Sequence, residues 1–123
     1  MMLDTNIVIA YLSGEPALVN RLSRWKEDGV QLLLSIVAET EVLSFPGWSE
    51  EECRAMQVFL AENFTSVPFE RGISSITSRI RRETRLKFPD AAIAASALYT
   101  HAPLVTRNVR DFKRIAALDI VTL

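Results

Sequence analysis

Histidine and cysteine are almost missing from these 123 residues: the chain carries His101 and Cys53 and no other of either kind. A lone cysteine excludes an internal disulfide framework and agrees with a reducing compartment. One histidine and one cysteine cannot build the nitrogen and sulfur ligand set that zinc prefers. Nor can a single histidine supply the acid–base pair for RNA cleavage by the substrate's own 2′-hydroxyl. Long apolar runs are missing too, and no segment approaches the ~20 unbroken apolar residues of a membrane span. The start, MMLDTN, has neither a basic leader nor a small-residue cleavage site, so a soluble cytoplasmic protein with no membrane contact is expected. A net charge of −1 argues against a nucleic-acid coat protein. It still permits an enzyme whose bound cations offset an acidic site.

What is present is an alternation of short apolar runs with longer helical patterns, the signature of a parallel sheet with crossover helices. With no repeat, low-complexity tract or linker, residues 1–123 read as one α/β domain. Strands are expected at Met1 to Asp4, Val30 to Leu34, Thr65 to Pro68, Pro103 to Thr106 and Ile120 to Leu123. Helices are expected at Thr5 to Leu12, from Pro16 to Gly29, and at Ile36 to Ser44 with Ser35 as N-cap. Ser49 and Glu52 have capping-box spacing and open another. Gly72 to Lys87 reads as amphipathic, and Pro89 starts an alanine-rich helix.

Acidic residues close several of the apolar runs: Asp4 in MMLDTN, Glu41 in SIVAETEVL, Asp90 in FPDAAIAASAL and Asp111 in LVTRNVRDF. In an open parallel sheet, ligands collect outside the carboxyl ends of the strands, where Asp4 and Asp111 are expected to lie directly. Asp90 falls in the first turn of a helix, which favours a carboxylate, and Glu41 needs its longer side chain to reach the same point. Glu39 then faces about 160° away on the helical wheel. Carboxylates gathered in one place repel one another and raise each other's pKa unless a cation sits between them. An oxygen-only set points to Mg²⁺ or Mn²⁺, and such sites mostly do phosphate chemistry. Any one of these acids alone reads equally well as a cap or turn former. The polar companions Asn6, Thr106 and Asn108 add weight to the set, since groups of that kind orient ligands and hold metal-bound waters.

The segments LDTNIVIAYL, SIVAETEVL and FPDAAIAASALYTHAPLVTRNVRDFKRI, in that order, resemble the PIN domain in the small form found in VapC toxins of VapBC toxin–antitoxin systems. The likeness runs from Met2 to Val121. It implies an α/β/α sandwich with a central, mostly parallel sheet and a metal-dependent endoribonuclease of the hydrolase class. Asp4 and Asp90 would be the main Mg²⁺ or Mn²⁺ ligands, with Glu41 and Asp111 acting directly or through water, and the products would carry a 5′-phosphate and a 3′-hydroxyl. It also implies a homodimer or a hetero-oligomer with a cognate VapB-like antitoxin. The family often has Thr where this chain has Ala38, and Glu39 is an added carboxylate; neither removes a ligand. RNA needs positive charge outside the pocket, for which Arg107 and Arg110 are nearest and the run Arg79, Arg81, Arg82, Arg85, Lys87 is a second source. The helix Ser49 to Leu60 and the segment Ala10 to Leu12 are candidate surfaces for a partner, neither of which the sequence singles out.

Other readings keep parts of this picture. One is an RNA-processing nuclease without an antitoxin, and another a catalytically silent PIN-like RNA-binding module, against which the complete acid set speaks. A flavodoxin-like phosphoacceptor domain would need paired acids at its first strand and a late-strand Lys. Here Asp4 stands alone, and the late strand ends in Thr106.

Overall fold

The computed structural model describes all residues from Met1 to Leu123. Its centre is a five-stranded sheet in which every pairing is parallel, in the order β3-β2-β1-β4-β5. The strands are β1 (Met2–Leu3), β2 (Leu33–Ser35), β3 (Thr65–Val67), β4 (Leu104–Val105) and β5 (Ile120–Val121). Between them run α1 (Thr5–Leu12), α2 (Pro16–Glu27), α3 (Ile36–Leu43), α4 (Glu50–Asn63), α5 (Arg71–Thr84), α6 (Phe88–Tyr99) and α7 (Val109–Phe112). The chain steps one way along the sheet through α1 to α4 and returns through α5 to α7. Right-handed crossovers therefore place the two groups on opposite faces, giving three layers.

Each strand is only two or three residues long, and in the three central ones, β2, β1 and β4, the side chains are withdrawn from water, whereas the edge strands β3 and β5 are partly exposed. Met2, Leu3, Leu104 and Val105 are fully buried. Helix ends follow local chemistry. Ser49 and Glu52 close the expected capping box, with reciprocal bonds of 3.0 Å. Gly29, at φ +78°, lets Val30 N–H bond back to Trp25 O at 2.8 Å, so Val30 belongs to the helix cap and β2 begins only at Leu33. Arg85 adopts a left-handed conformation, φ 61°, which ends α5 at Thr84, short of the expected Lys87. Between β4 and Asp111 the chain forms a turn and the short α7, which apolar patterning does not reveal in four residues. Asp111 therefore lies on a helix, not directly at a strand end.

The core joins α1, α2, α4 and α5 to the sheet through Ile7, Val8, Leu18, Leu22, Leu60, Ile73 and Ile80. Helix α6 is the most deeply set: Ala91, Ala92, Ile93, Ala94, Ala95 and Ala97 are all fully buried, and the small side chains let α5 lie along it. No helix is long and apolar enough to cross a membrane.

Candidate functional site

Register builds the centre of the site. Leu3 pairs with Val105, so the next residues, Asp4 and Thr106, lie side by side just past the carboxyl edge of the sheet. Asp4 N–H continues the ladder to Val105 O at 3.0 Å, and Asp4 then caps α1 by accepting from Thr5 N–H at 2.8 Å. Its other oxygen accepts from the Thr106 hydroxyl at 2.7 Å. Asp4 is thus a helix cap and a buried carboxylate together, only 4% exposed and with no cationic partner. Burial pushes its pKa above the usual aspartate value, the Thr106 and Thr5 hydrogen bonds draw it back, and Glu41 pushes it up again.

Thr5, which the motif reading passed over, joins the second acid to the first. Its hydroxyl donates to Glu41 Oε1 at 2.6 Å, and its buried position one residue after Asp4 ties α3 to the start of α1. The sequence carries no specific signal for it, since the Glu41 it holds lies 36 residues away along the chain. Asp111 is held from the other side, accepting from Asn108 Nδ2 at 3.0 Å and standing 3.7 Å from Arg114. Asn108 N–H in turn bonds Thr106 Oγ1 at 2.9 Å, so one hydrogen-bonded chain runs from Asp4 through Thr106 and Asn108 to Asp111.

Asp90 sits in the first turn of α6, and its carboxylate is left without hydrogen bonds from protein groups. Partial burial raises its pKa first, and Asp4, Glu41 and Asp111 each raise it further against a smaller opposing effect from Lys87. Asp90 thus feels all three of the other acids, and Asp4 feels Glu41. No three of them, however, stand close enough together to hold a metal ion by themselves. The chemistry fits a hard divalent cation all the same. The donors are oxygens only, Asp4 keeps free lone pairs beside its two hydrogen bonds, and Asp90 has none of its lone pairs engaged. Such an ion commonly takes one or two carboxylates and completes its shell with water.

The remaining expected residues divide. Thr106 and Asn108 are built into the site, whereas Asn6 stays on the exposed side of α1 without a hydrogen bond to any of the four acids. Arg107 is committed elsewhere: its guanidinium makes a two-point ion pair with Glu15, and its Nε bonds Leu123 O at 3.2 Å. It clamps the loop after β4 to the α1–α2 turn and to the C-terminal end. Arg110 is exposed and unpaired. Trp48 is packed, donating to Val42 O at 3.0 Å and meeting Phe45 edge-on.

From Glu41 an apolar groove leads away over α1, α3 and α4. Its near part, about 480 Å³, is lined by Ile9, Leu12, Phe45 and Trp48 beside Glu41. Its far part, about 570 Å³, continues along Leu12 and Trp48 to Tyr11, Met56 and Phe59. The two surfaces expected to meet a partner, Ala10 to Leu12 and the helix after Ser49, thus face one channel.

Comparison with known proteins agrees with this architecture. Residues 1–118 match the model of the PIN domain family. The chain is 31% identical over 116 residues to "Ribonuclease VapC19" of Mycobacterium tuberculosis, covering 90% of both chains. It superposes on a toxin–antitoxin complex from Klebsiella pneumoniae with a TM-score of 0.81 at 28% identity, over 98% of this chain and 95% of that one. VapBC2 from Rickettsia felis, solved bound to a DNA fragment from its promoter, shares the fold with a TM-score of 0.85 at 24% identity, over 99% and 97%. The chain belongs to the PIN domain family, among its VapC members.

Proposed function

We propose that this protein is a metal-dependent endoribonuclease and the toxin of a toxin–antitoxin pair. The observation that carries the reading is the gathering of carboxylates around Asp90 at one edge of the sheet, where Asp4, Glu41 and Asp111 all repel it and only the smaller effect of Lys87 opposes them. Likeness to a named ribonuclease over 90% of the chain supports RNA as the substrate. Asp4 and Asp90 would hold Mg²⁺ or Mn²⁺, with Glu41 and Asp111 binding the water around it. When bound, the ion acidifies a water and neutralises charge gathering on the phosphoryl oxygens. The chain's own residues do the positioning. Thr5 and Thr106 fix the Asp4 and Glu41 carboxylates, Asn108 aims Asp111, and Glu41 or Asp111 would serve as the base that takes a proton from the attacking water.

Partner control follows from the groove. Its apolar walls and its end at Glu41 suit an amphipathic antitoxin segment of VapB type that offers a basic side chain to the acids. A homodimer within such a complex is the assembly this reading expects.

The test is cleavage of a mixed RNA pool by the purified, antitoxin-free protein in Mg²⁺ or Mn²⁺, with mapping of the new ends. Products with 5′-phosphates that vanish with EDTA and in Asp4→Asn and Asp90→Asn are the expected result. Cleavage that survives EDTA would overturn the mechanism.

A further inference from the structure

Two phenylalanines stand in the open beside the acidic pocket, and the core does not use them. Phe69 follows β3, and because every strand is parallel it leaves the sheet at the same carboxyl edge as Asp4. Phe88 is the first residue of α6, within one helical turn of Asp90. The two rings lie 5.6 Å apart and inclined at 60°, yet Phe69 is 37% and Phe88 43% exposed. A pair of aromatic rings left facing water costs free energy that a soluble chain ordinarily avoids, so a use is expected.

The surrounding charge states which use. Lys87 adjoins Phe88 and is near enough to Asp90 to offset part of the repulsion from the other acids. Lys87, Arg85 and, two residues after Phe69, Arg71 are all exposed and none is in an ion pair, while Glu70, the acid between Phe69 and Arg71, is engaged by the Tyr99 hydroxyl. Unpaired cations around exposed aromatic rings match the chemistry of a single-stranded polyanion with flat, stackable faces: phosphates meet the cations and bases meet the rings. The apolar groove toward Phe59 lies on the α1, α3 and α4 side, so it does not compete for this patch.

We propose that Phe69 and Phe88 form a stacking platform for nucleobases of single-stranded RNA flanking the scissile phosphate, with Lys87 and Arg71 on its backbone. The inference rests on the ribonuclease reading and adds to it the groups that grip the substrate. Phe88 and Phe69 are binding residues here, not members of the hydrolytic set. A stacked base contributes through binding, so removing a ring raises KM and leaves kcat at saturation close to that of the parent.

The probe is a fluorescent single-stranded RNA pool, presented to the parent protein and to Phe69→Ala, Phe88→Ala and Phe88→Trp. Affinity is read in EDTA, cleavage in Mn²⁺, and oligomeric state by light scattering. The expected result is a loss of affinity of roughly ten-fold or more for each alanine variant, a matching rise in KM, and recovery in Phe88→Trp. Cleavage by the parent with unchanged KM in both alanine variants would overturn the platform and leave the ribonuclease standing. Conversion of a parent dimer to monomers by these substitutions would overturn it in favour of a contact between copies. A parent that neither binds nor cleaves RNA would remove both readings together.

Discussion

Thr5 shows how one hydroxyl sets the geometry of a charged site. It is buried one residue after Asp4, and its side chain is spent on Glu41 at 2.6 Å, not on its own helix. Thr5→Val keeps the shape and removes the donor. Glu41 is exposed and can take water instead, so the stability loss should be near the ~1 kcal/mol of an ordinary hydrogen bond. Catalysis should suffer more, with kcat for RNA falling about ten-fold or further as Glu41 loses its fixed aim. Thr5→Ser retains the hydroxyl and should retain most activity. A Thr5→Val enzyme with unaltered kcat would show that Glu41 needs no anchor. The residue scale also marks what the sequence discloses about the site. The acids were legible because each interrupts an apolar run. Thr5 was not, since a threonine early in a helix has many ordinary roles, and only register shows Glu41 within its reach. The ion pair of Arg107 was hidden for a related reason: nearness along the chain to Asp111 says nothing of Glu15, 92 residues away, which shares its guanidinium.

At the scale of elements, α5 and α6 share the most extensive packing of any pair in the molecule, and Gly72 leaves room at one end of it. A Cβ on Gly72 would stand 2.5 Å from Tyr99 Cε1, inside any real contact distance. Gly72 has no unusual backbone angle, so the demand is for space, not for conformational freedom. Tyr99 is exposed and its ring can swing aside, so Gly72→Ala should lower stability by only about 0.5 kcal/mol, the displaced ring being partly offset by alanine's better helix propensity. Adding Tyr99→Ala should return most of that loss in denaturant melts, because it removes the obstructing ring. Equal penalties with and without Tyr99 would place the strain elsewhere. Most elements were readable in advance. Helix α1 begins and ends where expected, and the capping box at Ser49 is formed. The errors lie where short-range chemistry outweighs apolar pattern: the Gly29 cap that withholds Val30 from β2, the left-handed Arg85 that stops α5, and the four-residue α7 that carries Asp111. Sheet order was not legible at all, because two- and three-residue strands contain no pairing information of their own.

For the whole molecule the central issue is charge placed at a cost. Asp4 and Asp90 both have pKa values raised from the ordinary aspartate value, chiefly by burial, so the folded chain holds protons more tightly at these positions than the unfolded chain does. Stability from these groups is present while they are protonated. It is lost as pH rises from about 4 through the folded-state values, and above those the metal-free protein carries the full penalty. Asp90→Asn should then raise the Tm of the metal-free protein at pH 7, by roughly 2–4 °C, since the group is partly exposed and its repulsions are screened. The advantage should fade as pH falls toward 4, a range reached by differential scanning calorimetry. That the fold accepts such a penalty is the reason to infer a cation from outside the chain.

The most direct measurement is therefore thermal unfolding of the protein at pH 7 across a titration of Mn²⁺, with the parent and Asp90→Asn side by side. The account predicts a saturable rise in the Tm of the parent, roughly 5–10 °C once the ion is in about hundred-fold excess over its Kd. It predicts a far smaller rise for Asp90→Asn, so that the order of stability seen without metal is reversed. If Mn²⁺ shifts both proteins equally, or neither, the four carboxylates do not form a metal centre and the hydrolytic mechanism built on them is wrong.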